Sequence, residues 1–313
     1  DLNYKATGAL SKGGTISLKD AVGNEADLTL PALGDTHSLA GESALVLDNT
    51  APTVSRVEAV TADGSYRVGT TLSIAVTFSE PVIASSGSAL SLDLALGVTR
   101  SASLSSGSGT NTLVFSYAIQ SGDNSPDLDY VATNALQLGG GESLQDAAGN
   151  DAVLTLASPG AANSLSDQSA IVVDTQAPTV TRVHATTANG SYGPPSTIAI
   201  SIVFSEDVTL TDAGNLRLAL STGSTTRYAS YQSGDGSDTL NLVYSIQVGD
   251  ESLDLDYVAT TSLAFLSTGS MTDAVGNPAN LTLPAPGSAN SLSDQSAIVI
   301  DGVAPDLPDF TDP

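Results

Sequence analysis

The sequence predicts an all-β chain of tandem antiparallel β-sandwich domains arranged end to end, and three observations carry this. Long stretches recur at a fixed spacing: "TVSRVEAVTADGSYRVGTTLSIAVTFSEPV" from Thr53 returns as "TVTRVHATTANGSYGPPSTIAISIVFSEDV" from Thr179, and "ANSLSDQSAIV" is identical at Ala162 and Ala289. Within each copy, apolar residues alternate with small or polar ones, the period of a strand with one buried and one solvated face. Clusters of Gly, Ser, Asn and Asp such as "SSGSGTN", "SGDGSD" and "DAAGN" separate these runs as turns, and no long helical stripe interrupts them.

Taken in order, residues 1–48 match only the last third of a unit, opening on "DLNYKAT" where the full copies have "DLDYVAT" at Asp127 and Asp254. Two full units follow, 49–174 and 175–301, and residues 302–313 form a linker or the start of another unit. Each full unit has ordinary domain size, so these are beads on a string and not a solenoid. In the first, Leu72, Ile74, Val76 and Phe78 alternate with Ser73, Ala75, Thr77 and Ser79. In the second, Leu240, Leu242, Tyr244, Ile246 and Val248 do the same. The alternation and turn spacing predict roughly seven to nine strands per unit. Residues 1–48 lack the strands that should pair with theirs. They are expected to form strands that leave an open sheet edge or borrow partners from another chain, so self-association is an expected partner mode beside neighbouring units.

The chain has 313 residues, 41% of them hydrophobic, with 34 acidic against nine basic side chains and a net charge of −25. That apolar content argues for packed domains, while the charge repels nucleic acid and anionic lipid and attracts cations. No apolar run is long enough to span a bilayer, so membrane insertion is not expected. Cysteine is absent, which excludes disulfides and thiolate metal sites. Lysine occurs only at Lys5, Lys12 and Lys19, so the full units cannot form Lys–Asn isopeptide cross-links. Bound metal is the remaining means of stiffening them.

Three acidic positions hold register between the full units. Asp48 and Asp174 end a unit, as Asp301 does again at the close of the last one. Glu80 and Glu206 end the alternating strand and share its inward phase. Asp146 and Asp273 begin the "DAxGN" turn, with Asp20 as the counterpart in the partial unit. Strand counting brings the first two sets to one pole, because the strand that leaves the joint is followed by one that returns to it. The pole of the "DAxGN" turn does not follow from strand counting. Carboxylates forced together need a cation, and calcium takes six to eight oxygen ligands from carboxylates, carbonyls and water. Plain alternatives stand beside this: an Asx turn for the joint aspartates, an exposed strand-end charge for the glutamates, and a tight turn for "DAxGN". In a second acidic group, Asp127 and Asp129 are expected on one strand face with Leu128 and Tyr130 on the other. Asp254 and Asp256 repeat this, giving a further candidate cation site in each unit, and Asn3 replaces the second aspartate in the first copy. His37 and His184 do not recur and are expected to be solvated.

The motifs "FSEPV", "DLDY", "DAAGN" followed by "LTL", and "AIVIDxxAP" resemble the Ig-like tandem extender repeats of large bacterial surface adhesins and related RTX-type proteins. The resemblance covers nearly the whole chain. It implies Ig-like sandwiches at the bacterial cell surface that extend a distal binding domain, with calcium at the joints. Catalysis is not expected: the acidic positions recur in both full units, where a catalytic site would break symmetry, and no triad, phosphate loop or zinc signature is present. A calcium-dependent carbohydrate- or cell-binding module is the alternative, since calcium also ligates sugar hydroxyls.

Overall fold

The computed structural model describes residues 2–85 and 89–304. The expected linker at 302–313 therefore lies outside the described residues beyond Ala304. The chain is all-β, with two large curled antiparallel sheets, one per full unit.

Ahead of the first full unit lies one short helix, α1 (Leu39–Glu42). That unit then runs β1 (Val54–Ala59), β2 (Gly64–Tyr66), β3 (Thr71–Ala84), β4 (Leu90–Ala95), β5 (Thr99–Ser106), β6 (Thr110–Ala118), β7 (Leu136–Leu138), β8 (Leu144–Gln145), the helix α2 (Leu165–Gln168) and β9 (Ile171–Val173). The second runs β10 (Val180–Ala185), β11 (Gly190–Tyr192), β12 (Thr197–Thr211), β13 (Leu216–Leu220), β14 (Arg227–Ser233), β15 (Ser237–Ser245), β16 (Glu251–Ser252), β17 (Leu263–Phe265), β18 (Ser270–Thr272), the helix α3 (Leu292–Gln295) and β19 (Ile298–Asp301). The large sheets have the orders β1-β3-β6-β5-β4-β7 and β10-β12-β15-β14-β13-β17, with β8 pairing β3 and β18 pairing β12.

Alternation does what the sequence predicts except at Val248, which lies past the end of β15 and is exposed. Leu72, Ile74, Val76 and Phe78 on β3 face a core shared with Leu92, Leu94, Leu113 and Phe115. Ile198, Ile200, Ile202 and Phe204 on β12 face a separate core with Leu218, Leu240 and Leu242. Burying apolar surface in this way contributes on the order of 25 cal/mol per Å², the main favourable term for each unit.

Four expectations need correction. The pairing is not wholly antiparallel: β9 closes the first unit in parallel with β2, and β19 closes the second in parallel with β11. A parallel partner requires a long crossover, and here most of the unit supplies it. The alternating strand does not end at Glu80 but continues to Ala84. The "DLDY" segments are not regular strands, since only isolated bridges at Tyr130 and Tyr257 mark them. Finally, the described residues 2–48 contain no strand, only α1 and a single bridge between Lys19 and Glu25. Their counterparts β7, β8 and β9 pair with β4, β3 and β2, which lie earlier in the unit and have no equivalent within residues 2–48.

Candidate metal centres at the joints

Each joint aspartate is fixed first by its own backbone. Asp48 Oδ1 accepts from the Thr50 amide and Asp174 Oδ1 from the Gln176 amide, both at 2.9 Å, so each makes an Asx turn. The amide of Asp174 donates to the Tyr66 carbonyl, tying the end of β9 to β2. After the turn, the Pro52 carbonyl accepts from Val153 and the Pro178 carbonyl from Asn280, both at 2.8 Å. The linker is thereby held against the segment that follows the "DAxGN" turn of the next unit.

The glutamate arrives through a break in the ladder. On β3 the pairing with β6 shifts between Thr77 and Val82, and on β12 the pairing with β15 shifts between Val203 and Val208. Across this bulge β3 exchanges β6 for β8, pairing Ile83 with Gln145, while β12 takes β18. Asp146 directly follows β8 and Asp273 directly follows β18, so the exchange sets Glu80 beside Asp146 and Glu206 beside Asp273. Bulges re-aim side chains in this way. On the other side, Ser79 Oγ accepts from the Thr53 amide and Ser205 Oγ from the Thr179 amide, both at 3.0 Å, which holds the glutamates to the joint.

The "DAxGN" turn supplies the third carboxylate. Asp146 Oδ1 accepts from the amides of Ala148 and Asn150, and Oδ2 from the Asn150 side chain at 2.7 Å. Asp273 repeats this with Val275 and Asn277, and Asp20 with Val22 and Asn24. Gly149 and Gly276 sit at φ of +93° and +88°, where a side chain would strain the turn.

Asp48, Glu80 and Asp146 form one group whose ligand oxygens all lie within 4.8 Å of one another, and Asp174, Glu206 and Asp273 form the other. The aspartates of the turns are buried and the other four residues half-buried. Burial pushes the Glu80 carboxyl above its ordinary value, and the charges of Asp48 and Asp146 add to this. Glu206 is raised in the same way, by burial and then by Asp174, Asp273 and Asp207. Asp146 moves the other way, held down by the Asn150 side chain and then by backbone donors of its turn. None of the ion pairs among the described residues involves these six carboxylates. The donor set is all carboxylate oxygen, and each group could hold a metal ion. A groove of about 470 Å³ opens at the first group, lined also by Leu45, Val46 and Pro81.

The other candidate residues fare differently. Asp301 repeats the Asx geometry, accepting from the Val303 amide at 3.3 Å, and joins no metal-ligating group among the described residues. The second acidic group is not brought together. Asp127 and Asp254 are exposed, whereas Asp129 and Asp256 are buried. Asp129 accepts from the Tyr130 and Gly160 amides and from Ser166 Oγ, and Asp256 from Tyr257, Gly287 and Ser293. These aspartates staple the segment around α2 or α3 to the "DLDY" motif. The pairs Asp127/Asp129 and Asp254/Asp256 join no metal-ligating group among the described residues. The irregular backbone there turns alternate carboxylates to different environments instead of one strand face. His184 is also corrected: it is half-buried, its Nδ1 lacks a partner, and burial followed by Arg182 lowers its pKa.

One pair of buried charges escaped the sequence reading. Asp123 and Asp250 are fully buried and accept from Arg100 and Arg227 Nε at 2.7 Å, from Tyr117 and Tyr244, and from the Gln120 and Gln247 amides. Burial alone would raise the Asp123 carboxyl, yet these donors hold it below its ordinary value. Burial and Asp123 push the Tyr117 hydroxyl up to about 12. The signal was present: Arg100 and Arg227 recur in register in a chain with nine basic residues.

No protein-family model matches this chain, and no curated protein does.

Proposed function

We propose that this chain is a structural spacer from an extracellular bacterial adhesin or matrix protein, made of end-to-end Ig-like domains whose joints are rigidified by calcium. The observation that carries the reading is the recurrence of one Asp–Glu–Asp group at both Asp-x-x-Ala-Pro joints, each joining the last residue of one unit to two carboxylates of the next. A spacer needs the same device at every joint, whereas a binding site for a distal target needs only one copy. Calcium suits the donors because it accepts irregular shells of carboxylate, carbonyl and water, while magnesium demands near-octahedral geometry. It would also offset the repulsion that raises Glu80 and Glu206. The hydrogen-bonded linker already limits the joint, so the cation acts on a partly ordered hinge. Affinity is expected at about 10⁻⁴–10⁻³ M, the range of extracellular modules.

The test is small-angle scattering of the whole chain with calcium and with chelator. Calcium should lengthen the mean end-to-end distance, and Asp174→Ala should loosen the joint between the two full units while leaving the first responsive. Equal extension under both conditions would leave the acidic groups as turn and strand caps, and the calcium-stiffened joint would be abandoned.

A further inference from the structure

We infer that residues 2–47 present a preformed docking face for a strand segment of the type of residues 49–126. The face keeps the internal bonds of a complete unit. The Leu2 amide donates to the Leu45 carbonyl, as Leu128 does to Ile171 and Leu255 to Ile298. The Leu30 amide donates to Thr7, as Leu156 does to Thr133 and Leu283 to Thr260. The Tyr4 hydroxyl donates to the Pro31 carbonyl, as Tyr130 does to Ala157 and Tyr257 to Pro284.

What differs is the cover. Leu2, Leu10, Leu18, Leu39, Leu45 and Leu47 are between 39% and 81% exposed, whereas none of their twelve counterparts in the full units exceeds 4%. These counterparts run from Leu128 to Val173 and from Leu255 to Ile300, and they belong to the two cores. Six exposed leucines whose counterparts are all core residues mark an interaction surface. Its edges are open as well: the counterparts of residues 10–12, 18–19 and 45–47 are β7, β8 and β9, which pair with β4, β3 and β2.

The occupant follows from the full units, where the segment that covers this face comes from β1 to β6 and leads straight into "DLDY". A second copy of the chain is a poor occupant. Its own strands of this type are already closed over their own cores, and each copy brings a net charge of −25. The inference does not depend on calcium.

The experiment is hydrogen exchange on the whole chain and on a chain with residues 49–126 repeated ahead of residue 1. Added strands should slow exchange at residues 10–12, 18–19 and 45–47 by at least about a hundredfold, the scale separating packed strands from open segments. Leu45→Asp with Leu47→Asp in the extended chain should abolish that gain and leave exchange in 54–301 unchanged. No gain in the extended chain would overturn the inference. So would a dimer of the unextended chain, seen by sedimentation, that already protects residues 45–47, because the occupant would then be a second copy.

Discussion

The side-chain amide of Asn277 donates to the main-chain carbonyl of Asp174 at 3.1 Å, reaching from the turn of one unit to the last residue of the unit before it. Asn150 makes the same bond to Asp48 at 3.3 Å. The same nitrogens donate to Asp273 and Asp146. The final residue of the "DAxGN" motif therefore orients one acid of the group and anchors the backbone of another. Turn and linker are one object, and substitutions in either should be felt at both.

Asn277→Ala removes both bonds from a buried site. It is expected to destabilise the second unit by about 1–2 kcal/mol, with a lower denaturation midpoint and a weaker calcium response at the joint between the full units. An unchanged midpoint would mean that the Gly276 turn holds itself without its asparagine.

The acidic groups set a pH dependence. Glu80 and Glu206 are raised above the ordinary value of 4.5, so the folded chain holds protons that the unfolded chain has released. Without calcium, their contribution to stability is fully present below 4.5 and is lost as pH rises through the raised values. Asp146 is lowered from 3.8, so its contribution is lost only as pH falls through its depressed value, outside the glutamate window. Melting temperature against pH should fall above 4.5 in chelator and flatten in calcium, and Glu80→Gln with Glu206→Gln should remove both the fall and the calcium effect.

Asp256→Ala should leave the buried Tyr257 amide without its acceptor, at a cost of about 1–3 kcal/mol, and release the exposed Gly287 amide and the half-buried Ser293 hydroxyl. Calcium titration of this variant should match the parent. A lost calcium response with an intact fold would restore the aspartate as a ligand.

Removing Arg227 strands the buried Asp250 charge, and breaking such a pair typically costs about 3–5 kcal/mol. Arg227→Leu should therefore lower the denaturation midpoint far more than Tyr244→Phe, which removes one hydroxyl donor. Equal effects would show that the tyrosine, not the arginine, compensates the charge.

By itself the sequence determined the strand rows and the candidate joints. Period-two alternation is local, so Leu72 to Phe78 read as an inward row without knowledge of any partner, and Glu80 could be placed in the same phase. Register between copies then isolated Asp48, Glu80 and Asp146 and their counterparts Asp174, Glu206 and Asp273. Tertiary structure decided how those residues meet. The exchange of β6 for β8 across the bulge brings the "DAxGN" turn to the joint, and the choice of ladder partner is a long-range competition that no local pattern records. The same holds for Asp129, buried and bonded while Asp127 is exposed, and for Asp123 beneath Arg100. A carboxylate's spacing along the chain is the same whether it faces water, a metal or a buried donor; only the fold around it sets the desolvation and the partners that choose among them.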